Sequence, residues 1–128
     1  MRSRLALPFI AALVCVAAAA ARYQGGVTAE VAIGKSIAAS MPVDTASTFG
    51  ADVGSVVCWT RVTGATAGSK IMHVWIHGAD TNKVELNIGG SPWRTYSRKT
   101  IGDMTGDWKV EVMDDKGNTI ASKSFKIG

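Results

Sequence analysis

The stretch Ile71-Met72-His73-Val74-Trp75-Ile76-His77 decides the fold. Read with a period of two residues, it predicts a β-strand with two different faces. One face carries Met72, Val74 and Ile76, and the other carries Ile71, His73, Trp75 and His77. We expect the first face to lie in the core. The second has two imidazoles and an indole, each with an apolar body and a polar tip, which suits a half-buried or partner-covered surface.

Two further strands follow within the Lys70 to Ser97 stretch. Beyond the polar link 78–82, residues 83–88 alternate polar and apolar side chains, as a strand with one wet face does. We expect these two strands to form a hairpin with a five-residue loop. Gly89-Gly90-Ser91-Pro92 interrupts the pattern, and Trp93 opens the next strand. Trp93, Thr95 and Ser97 should share one face there, with Arg94, Tyr96 and Arg98 on the other.

The remaining strands flank this stretch. Residues 27–33 and 56–62 have strand patterns, whereas 35–52 are apolar only at irregular intervals and predict a loop or a short edge strand. The small-residue link 64–69 suits a hairpin or a passage between sheets. In the last third, Trp108, Val110 and Val112 point one way. A final strand, 118–127, changes phase and predicts a bulge near Ser122.

About seven short strands, with no sustained helical period after the N-terminal segment, define an all-β chain. The turn spacing predicts an antiparallel, immunoglobulin-like β-sandwich. A small open β-barrel is the alternative.

The first 21 residues predict a secretory signal peptide. Arg2 and Arg4 precede an apolar run that ends in Ala19-Ala20-Ala21, an Ala-x-Ala cleavage site. We expect cleavage to leave residues 22–128 as a single domain with no membrane span. This domain should be periplasmic or secreted. Cleavage also lowers the net charge from +4 to +2, and no Lys/Arg cluster indicates nucleic-acid binding.

The pieces Cys58-Trp59, His73-Val74-Trp75, Trp93-Arg94-Thr95-Tyr96-Ser97 and Gly106-Asp107-Trp108 occur in an order and spacing that resemble the bacterial family called domain of unknown function 2914. The likeness runs from about Val27 to Ile127. Met41-Pro42-Val43-Asp44 looks like a variant of that family's Glu-Pro segment, with Met41 where a glutamate is commoner. The resemblance implies a small extracytoplasmic β-domain and no established activity.

A metal or redox role would use Cys58 and a histidine. Cys58 is the one cysteine left after cleavage, and inside a strand pattern it reads first as a buried thiol, with metal, redox or intermolecular pairing as alternatives. In a straight strand His73 and His77 lie roughly 13 Å apart, too far to share an ion. We therefore expect no metal site and no cofactor.

The sequence carries no recognisable catalytic motif. It has no Gly-x-Ser-x-Gly, no glycine-rich phosphate loop before a helix and no His-Glu-x-x-His. Carboxylates such as Asp103 and Asp114 fall at turns, where they favour turn formation. We therefore expect a protein that is not an enzyme.

The binding hypothesis rests on aromatic side chains with arginine, the types that concentrate energy at interfaces. The candidate residues are His73, Trp75, His77, Trp93, Arg94 and Tyr96. Each tryptophan could instead fill the core of a small sandwich, and Arg94 could instead fix a loop. We expect a binding module for an envelope protein or peptide, with a glycan as a further possibility; the alternative is a metal- or redox-linked periplasmic protein that uses Cys58 and a histidine.

Overall fold

The computed structural model describes residues 26–128 and contains ten strands in that range. The predicted signal peptide, 1–21, lies outside the described residues. Within 26–128 there is no helix that could cross a membrane.

Seven long strands and three short ones make up this part of the chain. The long strands are β1 (Thr28–Gly34), β5 (Ser55–Thr63), β6 (Lys70–His77), β7 (Asp80–Asn87), β8 (Trp93–Thr100), β9 (Gly106–Met113) and β10 (Thr119–Ile127). The short strands are β2 (Ser36–Ala38), β3 (Met41–Val43) and β4 (Thr48–Phe49). The seven long strands confirm the number that the sequence predicts, and the short ones occupy the segment whose pattern is irregular.

The strands form two main sheets. One has the order β1-β5-β8, the other β4-β10-β9-β6-β7, and β2 and β3 form a separate hairpin. Pairing is antiparallel except between β4 and β10. In the immunoglobulin convention β1, β5 and β8 correspond to strands A, B and E, and β10, β9 and β6 to G, F and C. The two main sheets do not form a closed barrel, and this arrangement confirms the sandwich prediction.

Both sheets contribute side chains to the core. Ile33, Val56 and Cys58 come from one sheet, and Trp75, Val110 and Phe125 from the other. The Trp75 ring meets the Trp108 and Phe125 rings edge to face, with centroids 6.5 and 6.3 Å away. Such contacts add about 0.5–1.5 kcal/mol per pair to the gain from burying the rings. Trp75 is thus a fully buried member of an aromatic cluster in the core.

The face assignment on β6 is wrong, because the His-Trp face points into the sandwich. His73 and Trp75 are fully buried. Of the set predicted for the core, Met72 and Ile76 are half-buried and Val74 is buried on the opposite face of the strand. The register explains why: His73 lies opposite Val112, and Trp75 lies opposite Val110. Side chains of paired residues project from the same face of a sheet, so the inward Val110 and Val112 fix the direction of their partners.

One turn and one β-bulge differ from the sequence prediction. The β6–β7 hairpin closes with the two residues Gly78 and Ala79, and not with five, because His77 already pairs with Asp80. Gly78 has φ 58°, as the first central position of a tight hairpin turn requires. The bulge in β10 falls between Thr119 and Ala121, slightly before the expected Ser122.

The β2–β3 hairpin lies on the outer face of the three-stranded sheet. Its turn residue Ser40 accepts a hydrogen bond at its carbonyl oxygen from the Trp59 indole nitrogen, at 2.9 Å. Gly34 permits the close approach, since a Cβ at this position would lie 2.6 Å from the Val43 carbonyl oxygen. The hairpin thereby buries Trp59 and forms a wall beside β8.

Trp75→Ala should destabilise the domain by roughly 3–5 kcal/mol, because it leaves a large cavity in the aromatic cluster. Urea unfolding of residues 22–128 measures this loss. Tyr96→Ala is the matched control, since Tyr96 is 46% exposed and its truncation should cost under about 1 kcal/mol. Equal small losses for both variants would contradict the assignment of Trp75 to the core.

Candidate functional site

The six candidate residues occupy three different environments. His73 and Trp75 lie inside the sandwich, His77 lies at one end of it, and Trp93, Arg94 and Tyr96 lie together along β8. The burial of His73 and Trp75 corrects the expectation that these two side chains present a surface to a partner. The interior cluster and the β8 surface are therefore separate candidate sites.

The interior cluster is a hydrogen-bonded set centred on the His73 ring. Nδ1 of His73 lies 2.6 Å from Ser97 Oγ, and Nε2 lies 2.8 Å from Thr60 Oγ1. The Trp75 indole nitrogen donates to the same Ser97 oxygen at 3.0 Å. Cys58 Sγ is 4.0 Å from His73 Nε2. These contacts join β6 of one sheet to β5 and β8 of the other.

One direction of proton donation satisfies the whole cluster. The Trp75 indole N–H can only donate, so Ser97 Oγ accepts a hydrogen bond from it. The hydroxyl proton of Ser97 is then free to be donated to His73 Nδ1. Nε2–H then donates to Thr60 Oγ1. With the opposite tautomer, the Ser97 hydroxyl proton would have no side-chain acceptor among the described residues. We therefore assign the proton of the neutral ring to Nε2 from the hydrogen-bond network.

Burial keeps both titratable members of the cluster uncharged at neutral pH. It lowers the pKa of His73 from 6.5 to about 4. It also raises the pKa of Cys58 to about 12, against a smaller opposite effect of the hydrogen bond with Thr60. A neutral thiol is a weak nucleophile and must lose its proton before it binds a metal. The cluster is thus suited to holding the sheets together.

Few metal-binding side chains come together in the described part of the chain. No group of three or more His, Cys, Asp and Glu residues lies close enough there to hold one ion. Cys58 and His73 are neighbours, but His77 is directed elsewhere: its Nε2–H donates to the Thr105 carbonyl oxygen at 2.7 Å, and its ring lies 4.6 Å from that of Trp108.

The second candidate, which we name the β8 groove, consists of two hollows that share Ser40, Trp93 and Arg94 in their linings. The first, about 300 Å³, is lined by Ile37, Ser40, Trp59, Asn87, Trp93, Arg94, Thr95 and Tyr96. The second, about 540 Å³, is lined by Ser40, Arg61, Pro92, Trp93 and Arg94. The groove therefore runs between the β2–β3 hairpin and β8, and it brings together three of the predicted residues.

The groove is also where large apolar side chains reach the surface. Among the described residues, the exposed large hydrophobic side chains are Trp93 at 39%, Tyr96 at 46% and Met41 at 44%. Trp93 and Tyr96 line the groove, and Met41 follows the lining residue Ser40 in the hairpin. Clustered apolar exposure of this kind is typical of interaction sites.

The charge on this face is positive. Arg61 and Arg94 are directly opposite each other across β5 and β8, an arrangement that is unfavourable for like charges. Neither makes an ion pair or a side-chain hydrogen bond within residues 26–128, although Glu30 is opposite Arg61 on its other side. Arg98 makes one long hydrogen bond, of 3.4 Å, to Ser55 Oγ. The alternative role for Arg94, which was to fix a loop through hydrogen bonds, has no supporting contact within residues 26–128.

Arg61 and the hairpin are the parts of the groove that sequence reasoning missed. The strand pattern does put Trp59 and Arg61 on one face of β5. However, the pairing of β5 with β8 joins residues such as Arg61 and Arg94, which are far apart in sequence, and local periodicity contains no signal for it.

A hollow of about 380 Å³ on the five-stranded sheet is the main competitor. Met72 and Met113 line it together with Lys70, Lys83 and Glu85. Lys70 and Glu85 already form an ion pair of 3.4 Å, and no tryptophan or tyrosine contributes to its lining. The β8 groove is the stronger candidate, because it combines exposed aromatic rings with unpaired guanidinium groups.

Domain stability should fall as the pH drops from about 6.5 to about 4. The unfolded chain takes up a proton at His73 near pH 6.5, whereas the native ring does not until about pH 4. The unfolded state binds more protons in this window, so stability rises with pH there, by roughly 3 kcal/mol in all. Urea unfolding at pH 7.5, 6 and 5 measures the effect.

His73→Gln is the control for this pH dependence, because it removes the titrating ring and keeps hydrogen-bonding capacity. The variant should lose less stability than the wild type between pH 7.5 and pH 5. An equal loss in both proteins would show that other groups cause it. An NMR titration of the wild-type ring gives the same answer independently, with an expected pKa near 4.

Cys58 should react with a thiol reagent such as Ellman's reagent only after unfolding. Its side chain is fully buried and burial raises its pKa to about 12, so the folded protein offers neither access nor thiolate. Stopped-flow mixing of residues 22–128, which exclude Cys15, with and without 6 M guanidinium chloride compares the two rates. Rapid labelling of the folded protein at pH 7 would contradict the structural role and favour a redox one.

Comparison with protein families covers the second half of the described chain. Residues 68–127 match the family model described as "Protein of unknown function (DUF2914)". This confirms the resemblance over β6 to β10 and covers all six predicted site residues. Cys58-Trp59 and Met41-Pro42-Val43-Asp44 fall outside the matched residues, so the match is shorter than the likeness expected from Val27 onward. No curated protein matches the chain significantly.

Proposed function

Because the chain belongs to the DUF2914 family through residues 68–127, and that family has no assigned function, we propose a function from the surface that this segment presents. The protein is a non-enzymatic β-sandwich module that binds an envelope protein or peptide through the β8 groove. Trp93, Arg94 and Tyr96 are its contact residues, with Arg61 beside them.

One observation carries this proposal: exposed aromatic rings and unpaired arginines lie in the same groove. Tryptophan, tyrosine and arginine are the residue types that dominate binding energy at interfaces. Trp93 and Tyr96 leave apolar surface in water, and Arg61 and Arg94 repel each other. A ligand that covers the rings and supplies negative charge relieves both conditions.

The proposed compartment is the periplasm or the outside of the cell. It is supported by the sequence of the first 21 residues, in which a basic start precedes an apolar run and an Ala-x-Ala site. A binding partner would then be another component of the cell envelope.

A glycan is a further ligand class, because the flat faces of Trp93 and Tyr96 could stack on sugar rings. A protein or peptide is favoured, because Arg94 and Tyr96 lie on a strand that a polypeptide can also contact through its main chain. Direct binding measurements with both classes decide between them.

The second candidate function is a metal- or redox-linked one that uses Cys58 and His73, and the 4.0 Å distance between their side chains is the observation in its favour. The burial of both groups and the raised pKa of the Cys58 thiol weigh against it. Besides thiol labelling, metal analysis of protein purified without chelator or affinity tag tests it. Stoichiometric copper or zinc would favour this candidate.

Arg94→Ala and Tyr96→Ala should each weaken ligand binding at least tenfold, as loss of an interface anchor does. Peptide and glycan arrays identify a ligand for the wild-type domain, and calorimetry then gives its affinity for each variant. Lys123→Ala is the matched control, because Lys123 is exposed on β10 of the other sheet and its truncation should leave the affinity unchanged. Identical affinities for all three variants would remove the β8 groove from consideration, as would arrays without any ligand.

A further inference from the structure

Strand β8 is an edge strand. It is the last member of the sheet β1-β5-β8 and pairs only with β5. The pairing of Ser55–Val62 with Trp93–Thr100 runs without a register shift, and β8 contains no proline. Natural proteins protect such edges with bulges, prolines, short strands or charged side chains. Of these, β8 has only the charged side chains, Arg94, Arg98 and Lys99, which repel other positive strands and leave the main chain open to an acidic one.

The register identifies which main-chain groups of β8 are free. The Ile101 N–H donates to the Gly54 carbonyl oxygen at 2.8 Å, so this antiparallel pair is a hydrogen-bonded one. Such pairs alternate along a ladder, and Trp93, Thr95, Ser97 and Lys99 therefore bond to β5. The N–H and C=O groups of Arg94, Tyr96 and Arg98 point to the open edge. No other described segment pairs with them.

The same three residues carry the side chains of the outer face. Arg94 and Arg98 are four residues apart, roughly 13 Å along a strand, with the exposed Tyr96 ring between them. A strand added to this edge would place its own alternate side chains beside these three. Acidic residues four positions apart, separated by an apolar one, match that pattern of charge and ring.

The charges also disfavour a second copy of the chain as the occupant. Two β8 edges pairing with each other would bring the Arg94 and Arg98 side chains of both copies together, and like charges on adjacent strands repel. The other long edge strands are β7, which carries both signs of charge at Asp80, Lys83 and Glu85, and β1, whose one charged residue is Glu30, so neither presents a positive edge. The positive charge of β8 therefore favours an acidic partner, and it makes β8 the edge strand to which such a partner would bind.

We propose that β8 binds an extended acidic segment of a partner polypeptide by strand addition. The main chain of the segment pairs with Arg94, Tyr96 and Arg98, its two carboxylates meet the two arginines, and its central apolar side chain packs on Tyr96. This inference rests on the proposed binding function and names the class of its ligand and the mode of binding.

A capped heptapeptide, Thr-Glu-Thr-Val-Thr-Glu-Thr, is the probe. We expect the wild-type domain to bind it at least tenfold more tightly than the peptide with both glutamates replaced by lysine. NMR titration should shift the amides of residues 94, 96 and 98 and slow their hydrogen exchange. Absence of binding, or equal binding of the lysine peptide, would overturn the inference.

Backbone N-methylation separates strand addition from side-chain binding. In an antiparallel addition, peptide residues 2, 4 and 6 are opposite Arg98, Tyr96 and Arg94 and turn their N–H groups toward β8. Methyl groups on these three amides should abolish binding, whereas methyl groups on the third and fifth amides should not. If both methylated peptides bind alike and still require Arg94, strand addition is wrong and the binding function of the groove stands. If the arrays and the peptide all fail, the binding function is wrong as well.

Two changes in the protein test the same point. Tyr96→Pro removes a main-chain N–H that β5 does not use, so it should reduce peptide affinity at least tenfold beyond the loss in Tyr96→Ala. Combined Arg94→Glu and Arg98→Glu should reverse the preference and favour the lysine peptide. This reversal requires only surface changes, so it decides the matter even if Tyr96→Pro does not fold. An unchanged preference would refute the charge pairing.

Discussion

The hydrogen bonds of the buried His73 ring are the constraint on which the arrangement of the sheets depends. The ring contacts Thr60 on β5 and Ser97 on β8 from its place on β6. A buried donor or acceptor without a partner costs about 1–3 kcal/mol, so a register that leaves either nitrogen unpaired is disfavoured. The ring therefore holds Ser97 inward, and strand alternation then directs Tyr96 and Arg98 outward. The interior polar contact and the exterior surface are two consequences of one register.

The same cluster occupies the region where immunoglobulin domains have their inter-sheet disulfide. Cys58 lies on the B-like strand β5 and Trp75 on the C-like strand β6, and both pack in the core with Val110 of the F-like strand β9. No second cysteine on β9 is available to complete a bridge. The noncovalent bonds of His73 join the sheets instead, so the link between the sheets is sensitive to protonation in a way that a disulfide is not.

Local alternation was sufficient to predict seven long strands, the inward face of β9 and the two faces of β8. It was not sufficient for β6, where both faces are apolar enough for a core and Met72, Val74 and Ile76 form the more conventional hydrophobic set. What decides the face is the pairing of Trp75 with Val110, a contact between strands that are distant in sequence. The β8 groove depends on the same kind of information, because Arg61 and Arg94 meet only through the β5–β8 ladder.

Trp59, Trp75 and Trp108 are already buried. The packing of the core therefore does not explain why Trp93 and Tyr96 are at the surface of β8. Folding alone gives no reason to keep the Tyr96 ring in water, Arg94 opposite Arg61 and an unpaired strand edge at the same place. Each feature is neutral or unfavourable in the free domain. The proposed extended acidic ligand would make all three favourable, since it would cover Tyr96, neutralise Arg94 and complete the hydrogen bonds of the edge.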